Sequence, residues 1–404
     1  MIRDIETVYL MENTVQKYGW GTADYIAELT GIVNAEKEPF AELWMGAHPK
    51  APSIINSGQA LNDFIAADTA GILGCDIAGQ YGELPFLLKV LSAGKPLSIQ
   101  VHPSREQAVL GFENEEVLKL PLDAKIRNYK DRNHKPEMLL ALTPFYAMTG
   151  IRPMFEIGEI ICFLRLDQKI EEFGSLTADL SSENVESFFN WLLNLKGREK
   201  EKVRNNILRA AMLRRGCDFG AYLAIEWICR LDHYYPDDIG IFAPILLNTI
   251  QMQPGEALFM QAGIMHAYLQ GTGLEIMANS DNVLRCGLTP KNIDRAELMK
   301  VAKFQSNAPQ MIKPFVDGLE EVYQAPVEEF QLSKLKVVDS YRIDKLKSAE
   351  IIFVFEGEIM LIPENGNALK LSKGQSAFIT NSADSYKITG KGTIYRAGSN
   401  IELR

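Results

Sequence analysis

From Asn184 to Arg198 the apolar residues Val185, Phe188, Phe189, Leu192 and Leu193 fall at i, i+3, i+4, i+7 and i+8. That spacing predicts one face of an amphipathic helix. Ser182, with Glu183 behind it, is the expected N-terminal cap and dipole partner. Two further helices are predicted over Glu199 to Arg215 and Gly220 to His233, the last stopped near Pro236. The charge-rich stretch from Lys196 to Lys202 reads as a solvated corner. Before about residue 150 the texture is short and strand-like. Apolar runs such as Phe86 to Leu91 and Ile99 to Val101 are broken by Gly, Pro and Asn. Strand signals return at Ile245 to Ile250, and a tight turn from Gln253 to Glu256 leads into Ala257 to Gln261. The tail reads as a smaller all-β unit. In it Glu350 to Ile362 predicts a hairpin turning at Glu356-Gly-Glu358, continued by Leu371 to Ile379 and Gly392 to Tyr395.

A chain of 404 residues exceeds the usual single-domain size. The expected division is a discontinuous barrel over 1–150 and 246–319, a helical insertion over 151–245, and a C-terminal unit over 320–404. A net charge of −10 argues against a nucleic-acid partner, which needs a surplus of Lys and Arg on one face. A small phosphorylated substrate, held by a few local cations, stays compatible with it. The stretch Met1 to Glu6 lacks the basic and apolar regions of a signal peptide. No apolar run reaches the roughly 18 residues needed to span a bilayer. Cys75, Cys162, Cys217, Cys229 and Cys286 are odd in number and never form a Cys-x-x-Cys pair. Reduced, mostly buried thiols in a monomeric cytoplasmic protein with no membrane partner are expected.

Candidate chemistry starts at Gln100-Val-His102. Side chains two apart on a strand share a face, so both project into one cavity. The stretch from Asn133 to Met138 carries Glu137, and Gly263 to Tyr268 carries His266. Together these segments supply an amide oxygen, two imidazoles and a carboxylate, a mixed set suited to a borderline divalent metal such as zinc. Each piece alone is ordinary, since Gln-x-His also suits a half-buried strand and a His near Gly a turn cap.

Read in order, several segments resemble the type I phosphomannose isomerases. They are Glu12 to Gly21, Pro39 to His48, Leu84 to Leu91, Ser98 to Pro103, His134 to Glu137 and Asn279 to Arg285. The likeness runs from about residue 8 to 295 and thins beyond. It implies a mainly β fold of two cupin-like jelly-roll barrels (a bicupin) with an α-helical insertion. The first barrel would be built from the chain on both sides of the insertion. The C-terminal barrel, with no histidine after His266, would be degenerate.

The resemblance implies that Gln100, His102, Glu137 and His266 hold one zinc ion, another divalent metal being the alternative. The implied activity is metal-dependent aldose–ketose isomerisation between mannose 6-phosphate and fructose 6-phosphate, by enediol-type proton transfer. It places Arg285 as a cation that neutralises the enediolate or anchors the substrate. Lys135 is an acid/base candidate whose charge a metal would disfavour. Asp281 would orient Arg285 or a lysine, and Glu275 is a further proton-transfer candidate. Lys89 and Ser98 are the expected phosphate contacts. Trp20, Glu42, Tyr268 and Lys291 complete the implied substrate pocket. His48 is expected in the pocket wall, His233 at a helix C-terminus, and His134 as an outer proton carrier. One departure is Ile264-Met265, where the family commonly carries Val-Pro; it is expected to loosen the turn before His266.

Two other classes compete. A cupin dioxygenase would want His-x-His where this chain has Gln100-Val-His102. A non-catalytic sugar-phosphate sensor would not need Arg285, Lys135 and Asp281 beside an intact metal set.

Overall fold

A computed structural model describes residues 6–218 and 220–401, so residues 1–5 of the expected leaderless N-terminus lie outside the described residues. The fold is mainly β with an α-helical insertion. Among the described residues one sheet holds eleven strands and a second holds ten, with antiparallel pairing throughout both. The strand Phe86–Ala93 sits at the centre of the first sheet and is buried at all eight positions. Its two faces pack against different layers, so its sequence is apolar except for Ser92, which bonds Thr272, and Lys89, which faces Glu275 in register across the sheet. His266–Ala278 is the long strand that ties this sheet together, pairing with four neighbours.

The three predicted helices form as Ser182–Asn194, Gly197–Arg214 and Tyr222–Tyr234, and His233 lies in the last turn of the third. Ser181, not Ser182, caps the first of them, its side chain accepting from the Asn184 N–H. Met154–Leu164 and Glu171–Ala178 add to the insertion. These helices pack against the strands Ile99–Val101 and His266–Ala278 in a core that holds Phe188, Trp227, Val101 and Ala267.

The strand-like reading of the first 150 residues needs correction. That stretch also holds the helices Tyr25–Thr30, Leu61–Ala67, Thr69–Leu73, Cys75–Tyr81 and Arg105–Val117. Four are five to seven residues long, too short to show a helical period. The fifth buries Ala108, Gly111 and Glu115 rather than a large apolar stripe, although Ser104 and Gln107 form a complete capping box. The expected hairpin at 350–362 is instead one continuous strand, Glu350–Pro363, with an irregularity between Val354 and Glu356. Gly357 has φ of +85° and pairs in register with Gly392, and a Cβ there would lie 2.1 Å from the Lys391 carbonyl oxygen, so the glycine marks a close approach of two strands rather than a turn.

Two strands cross the domain limits expected from sequence. Val8–Glu12 pairs with Ser376–Ile379 in the second sheet, and Phe315–Asp317 already belongs to that sheet. The two sheets share a core in which Phe353, Phe378 and Tyr395 meet Leu43, Leu88 and Leu274. Phe378 is fully buried there. Phe378→Ala is expected to lower the unfolding free energy by about 3–5 kcal/mol. Urea denaturation compared with the parent protein checks this, and a change below 1 kcal/mol would mean the two sheets are not one packing unit.

The cysteines are free, but Cys75, Cys162 and Cys217 are exposed, which corrects the expectation of mostly buried thiols. Cys162 lies on the solvent side of the helix Met154–Leu164, away from the buried Ile157, Ile160, Ile161 and Leu164. Among the described residues no helix is long and apolar enough to cross a membrane.

Candidate metal centre and active site

Strand pairing aligns the metal candidates. His266 lies opposite Gln100, and Gln100 lies opposite Arg285, so the three form one cross-strand row on one face. Glu137 opens the neighbouring strand Glu137–Ala141. His102, Glu137 and His266 are all buried and present ligand atoms within 4.8 Å of one another.

Each imidazole is oriented from behind. His102 Nδ1 is 2.7 Å from the Asn282 carbonyl oxygen and His266 Nδ1 is 2.9 Å from that of Ile264. Both Nδ1–H groups therefore donate to backbone, which leaves both Nε2 atoms as bare lone pairs facing inward. His102 Nε2 is buried without a hydrogen-bond partner. It stands 3.5 Å from one Glu137 oxygen, and His266 Nε2 stands 3.1 Å from the other. Lone pairs converge on lone pairs, an arrangement that a cation at the centre resolves. The Gln100 amide lies 3.2 Å from His266 Nε2, and turning it over presents its oxygen to the same point. The four residues fit a divalent metal.

The charges agree. Burial drives the His102 pKa down to about 4 despite Glu137. Burial alone would raise Glu137, but Lys135 and the imidazoles hold it well below the usual carboxylate range. Lys135 Nζ lies 2.8 Å from Glu137 Oε1.

The turn before His266 is held firmly, contrary to the loosening expected from Ile264-Met265. The Gly263 N–H donates to the His102 carbonyl, the Gly263 carbonyl accepts from Lys303, and Met265 accepts from Gly150. Gly263 is needed there, with φ of +82°.

Above this floor opens a cavity of about 480 Å³. Gln100, Glu137, Lys135, Asp281, Arg285, Glu275, Trp20, Glu42, Lys89, Ser98, Tyr268 and Lys291 all line it. In one wall Lys89 pairs with Glu275 at 2.8 Å and with Glu42 at 4.0 Å. Burial would lower the Lys89 pKa, but these two carboxylates raise it above its ordinary value. Tyr268 donates to the other Glu275 oxygen at 2.8 Å, and Trp44 donates to Glu42 at 2.6 Å. Opposite, Asp281 pairs with Lys50 at 2.8 Å, so a lysine and not Arg285 is its partner. His134 does not reach the cavity. It meets Glu329 of the second sheet's domain at 2.6 Å, with Arg105 alongside.

Comparison with known proteins fits this geometry. The model for the phosphomannose isomerase type I catalytic domain matches residues 8–154, and that for its helical insertion domain matches 165–247. The mannose-6-phosphate isomerase cupin domain matches 320–398. The mannose-6-phosphate isomerase of Escherichia coli K12 is 40% identical over 391 residues, covering 95% of this chain and 97% of its own. The chain belongs to the type I phosphomannose isomerase family. The human mannose-6-phosphate isomerase is 34% identical over 95% of this chain and 96% of its own. A crystal structure of mannose 6-phosphate isomerase bound with zinc and yttrium superposes with a TM-score of 0.91 at 39% identity, covering 97% of this chain and 99% of the other.

This phosphomannose isomerase cavity also includes residues that the sequence reading left without a role: Tyr18, Trp44, Lys50, Asn128, Lys130 and Tyr235. Trp44 and Lys50 were discoverable, being two residues from Glu42 and His48. Tyr235 comes from the helical insertion, its hydroxyl donating to the Pro96 carbonyl at 2.6 Å; no local motif announces it.

His48 is a buried wall residue, as expected. The Lys50 N–H donates to its Nδ1 at 3.3 Å, and its Nε2 lies 3.6 Å from Asp281. Burial drives its pKa down to about 4, outweighing Asp281. The folded value lies below the unfolded one of about 6.5, so the associated stability is complete above about pH 6.5 and is lost as pH falls toward 4. His48→Gln is expected to remove that share of the acid sensitivity. Urea midpoints at pH 7 and 4.5, compared between the two proteins, measure it, and equal pH slopes would refute it.

Proposed function

We propose that this chain is a zinc-dependent mannose-6-phosphate isomerase, acting as a cytoplasmic monomer on a small sugar phosphate. The observation that carries the reading is the convergence of two backbone-oriented imidazoles on the Glu137 carboxylate at the floor of a charged cavity. Gln100, His102, Glu137 and His266 are the ligand set. Zinc, when bound there, supplies a Lewis-acid positive centre for the sugar O1 and O2 without redox chemistry. The discontinuous barrel carries the site, and the helical insertion and C-terminal cupin brace it.

The reaction opens the sugar ring and moves hydrogen from C2 to C1 through an enediol. Asp281 has its Oδ2 held by Lys50, and this contact, with His48, keeps its pKa low although burial opposes it. Lys50 and His48 both face that Oδ2, and in this reading the other oxygen accepts a sugar hydroxyl proton during ring opening. Lys135, at the cavity surface beside Glu137, holds or moves a proton at the sugar oxygens. Arg285, in the cross-strand row with Gln100, keeps a permanent charge beside the developing enediolate. Lys89, Glu275, Glu42 and Tyr268 form a prebuilt wall that positions the sugar; both Glu275 oxygens are occupied within it, which favours a positioning role. Trp20 and Ser98 line the same pocket.

A coupled assay for fructose 6-phosphate formation from mannose 6-phosphate tests the reading. Zinc-loaded, folded protein without turnover would refute it.

A further inference from the structure

Two stretches of irregular backbone meet beside the metal ligands. One, residues 130–136, leads into the strand Glu137–Ala141; the other, residues 279–283, joins His266–Ala278 to Leu284–Gly287. Outside helix and sheet, buried peptide groups need other partners, and here side chains supply them. Asp131 from the first stretch and Asn282 from the second carry most of this bonding.

The Asp131 carboxylate takes four donors. Its Oδ1 accepts from the Asn133 N–H at 2.9 Å, the Ser280 hydroxyl at 2.8 Å and the Asn282 side-chain amide at 3.1 Å. Its Oδ2 accepts the Asp281 N–H at 2.8 Å. Asn282 is fully buried and bonds back to the first stretch. Its amide oxygen accepts the N–H groups of Lys130 at 2.6 Å and Asp131 at 3.3 Å. Its amide nitrogen also donates to the Asp131 and Asn133 carbonyls, both at 2.9 Å. These contacts end on two functional groups. The Asn282 carbonyl is the acceptor that holds the His102 Nδ1–H at 2.7 Å and so aims His102 Nε2 at the metal position. The adjacent Asp281 lines the catalytic cavity, whereas Asp131 lines an adjoining cavity that shares Ser280 and Asp281 with it.

We propose that Asp131 is a positioning residue for both parts of the site: through Asn282 it sets the metal affinity of His102, and through the Asp281 N–H it sets the carboxylate that acts on the sugar. The second part rests on the isomerase reading above. A carboxylate is needed at this point because it only accepts, with room for about four donors. Asparagine has the same shape but one acceptor oxygen, and its NH2 group would face groups that are themselves donors. Whichever way it turns, a donor of the 279–283 stretch loses its acceptor, and that stretch must shift to satisfy it.

The test compares Asp131→Asn with the parent full chain, with zinc alone as the first probe. Chelator competition is expected to show zinc binding weakened roughly 10- to 100-fold, the scale of losing a group that orients a metal ligand. At saturating zinc, kcat for mannose 6-phosphate should still fall by about tenfold or more with KM nearly unchanged, because Asp281 stays displaced after the metal is restored. Phe378→Ala, which loosens the core elsewhere, should leave zinc affinity and kcat unmoved; equal losses in it would reduce the effect to stability and overturn the proposal. Parental zinc affinity in folded Asp131→Asn overturns the link to His102, and full recovery of kcat at saturating zinc overturns the link to Asp281. Should Asp131→Asn not fold, Ser280→Ala removes one of the four donors and is expected to weaken zinc binding in the same direction by a smaller factor; an unchanged affinity there overturns the proposal. Zinc binding is measured without turnover, so a zinc-loaded parent that lacks isomerase activity refutes the isomerase reading and not the link to His102.

Discussion

Chelation of the zinc-loaded protein is expected to abolish isomerase turnover, and zinc added back is expected to restore it. The donor set explains the size of the effect. Two bare Nε2 lone pairs and two carboxylate oxygens crowd together in a buried volume, and only a cation makes that arrangement favourable. Loss of the ion therefore removes both the Lewis-acid centre and the force that holds the floor of the cavity together. A fall in turnover on the order of a thousandfold or more is expected. Thermal unfolding should shift downward with it, since an ion that binds only the folded state stabilises that state by mass action. His266→Ala deletes one imidazole of the set and should lose most of the bound metal. Metal content and turnover measured on the same preparation decide the matter. A metal-replete, active His266→Ala protein would sink the assignment.

Much of this site could be read along the chain because its chemistry is local. Gln100 and His102 announce themselves by strand spacing, and Glu137, His266, Asp281 and Arg285 each sit inside a short stretch of unusual residue types. The pairings between them could not be read so directly. Asp281 was open to Arg285 or to a lysine, and only the fold brings Lys50 to it. His134, one residue from Lys135, turns away to Glu329 almost two hundred positions downstream, a contact that spacing cannot express. The same distinction governs the fold. The helix Ser182–Asn194 was legible because it buries a large apolar stripe, whereas Arg105–Val117 was not, because the positions it buries are Ala108, Gly111 and Glu115. The strand Val8–Glu12 looked like the start of the first barrel, yet its hydrogen bonds go to Ser376–Ile379. Periodicity reports which residues are buried, and it does not report against what.

Arg285→Ala is expected to lower kcat by roughly two to three orders of magnitude, the scale of losing one well-placed electrostatic stabiliser. Strand register places the residue opposite Gln100, next to where the sugar carbonyl must lie if the metal reading holds. Burial lowers its pKa somewhat, but a guanidinium stays charged, and no carboxylate neutralises it before substrate arrives. Its charge is thus fully available to an enediolate and costs no reorganisation at the moment of reaction. Zinc content and fold should survive, because Arg285 is not among the converging ligand atoms. Arg285→Lys should recover only part of the loss, since a point charge on a flexible stem cannot reproduce the planar fork. Steady-state kinetics on mannose 6-phosphate for both variants, with metal content measured alongside, check this. An Arg285→Ala protein with raised KM and unchanged kcat would make the arginine a phosphate anchor and leave the enediolate without its stabilising charge.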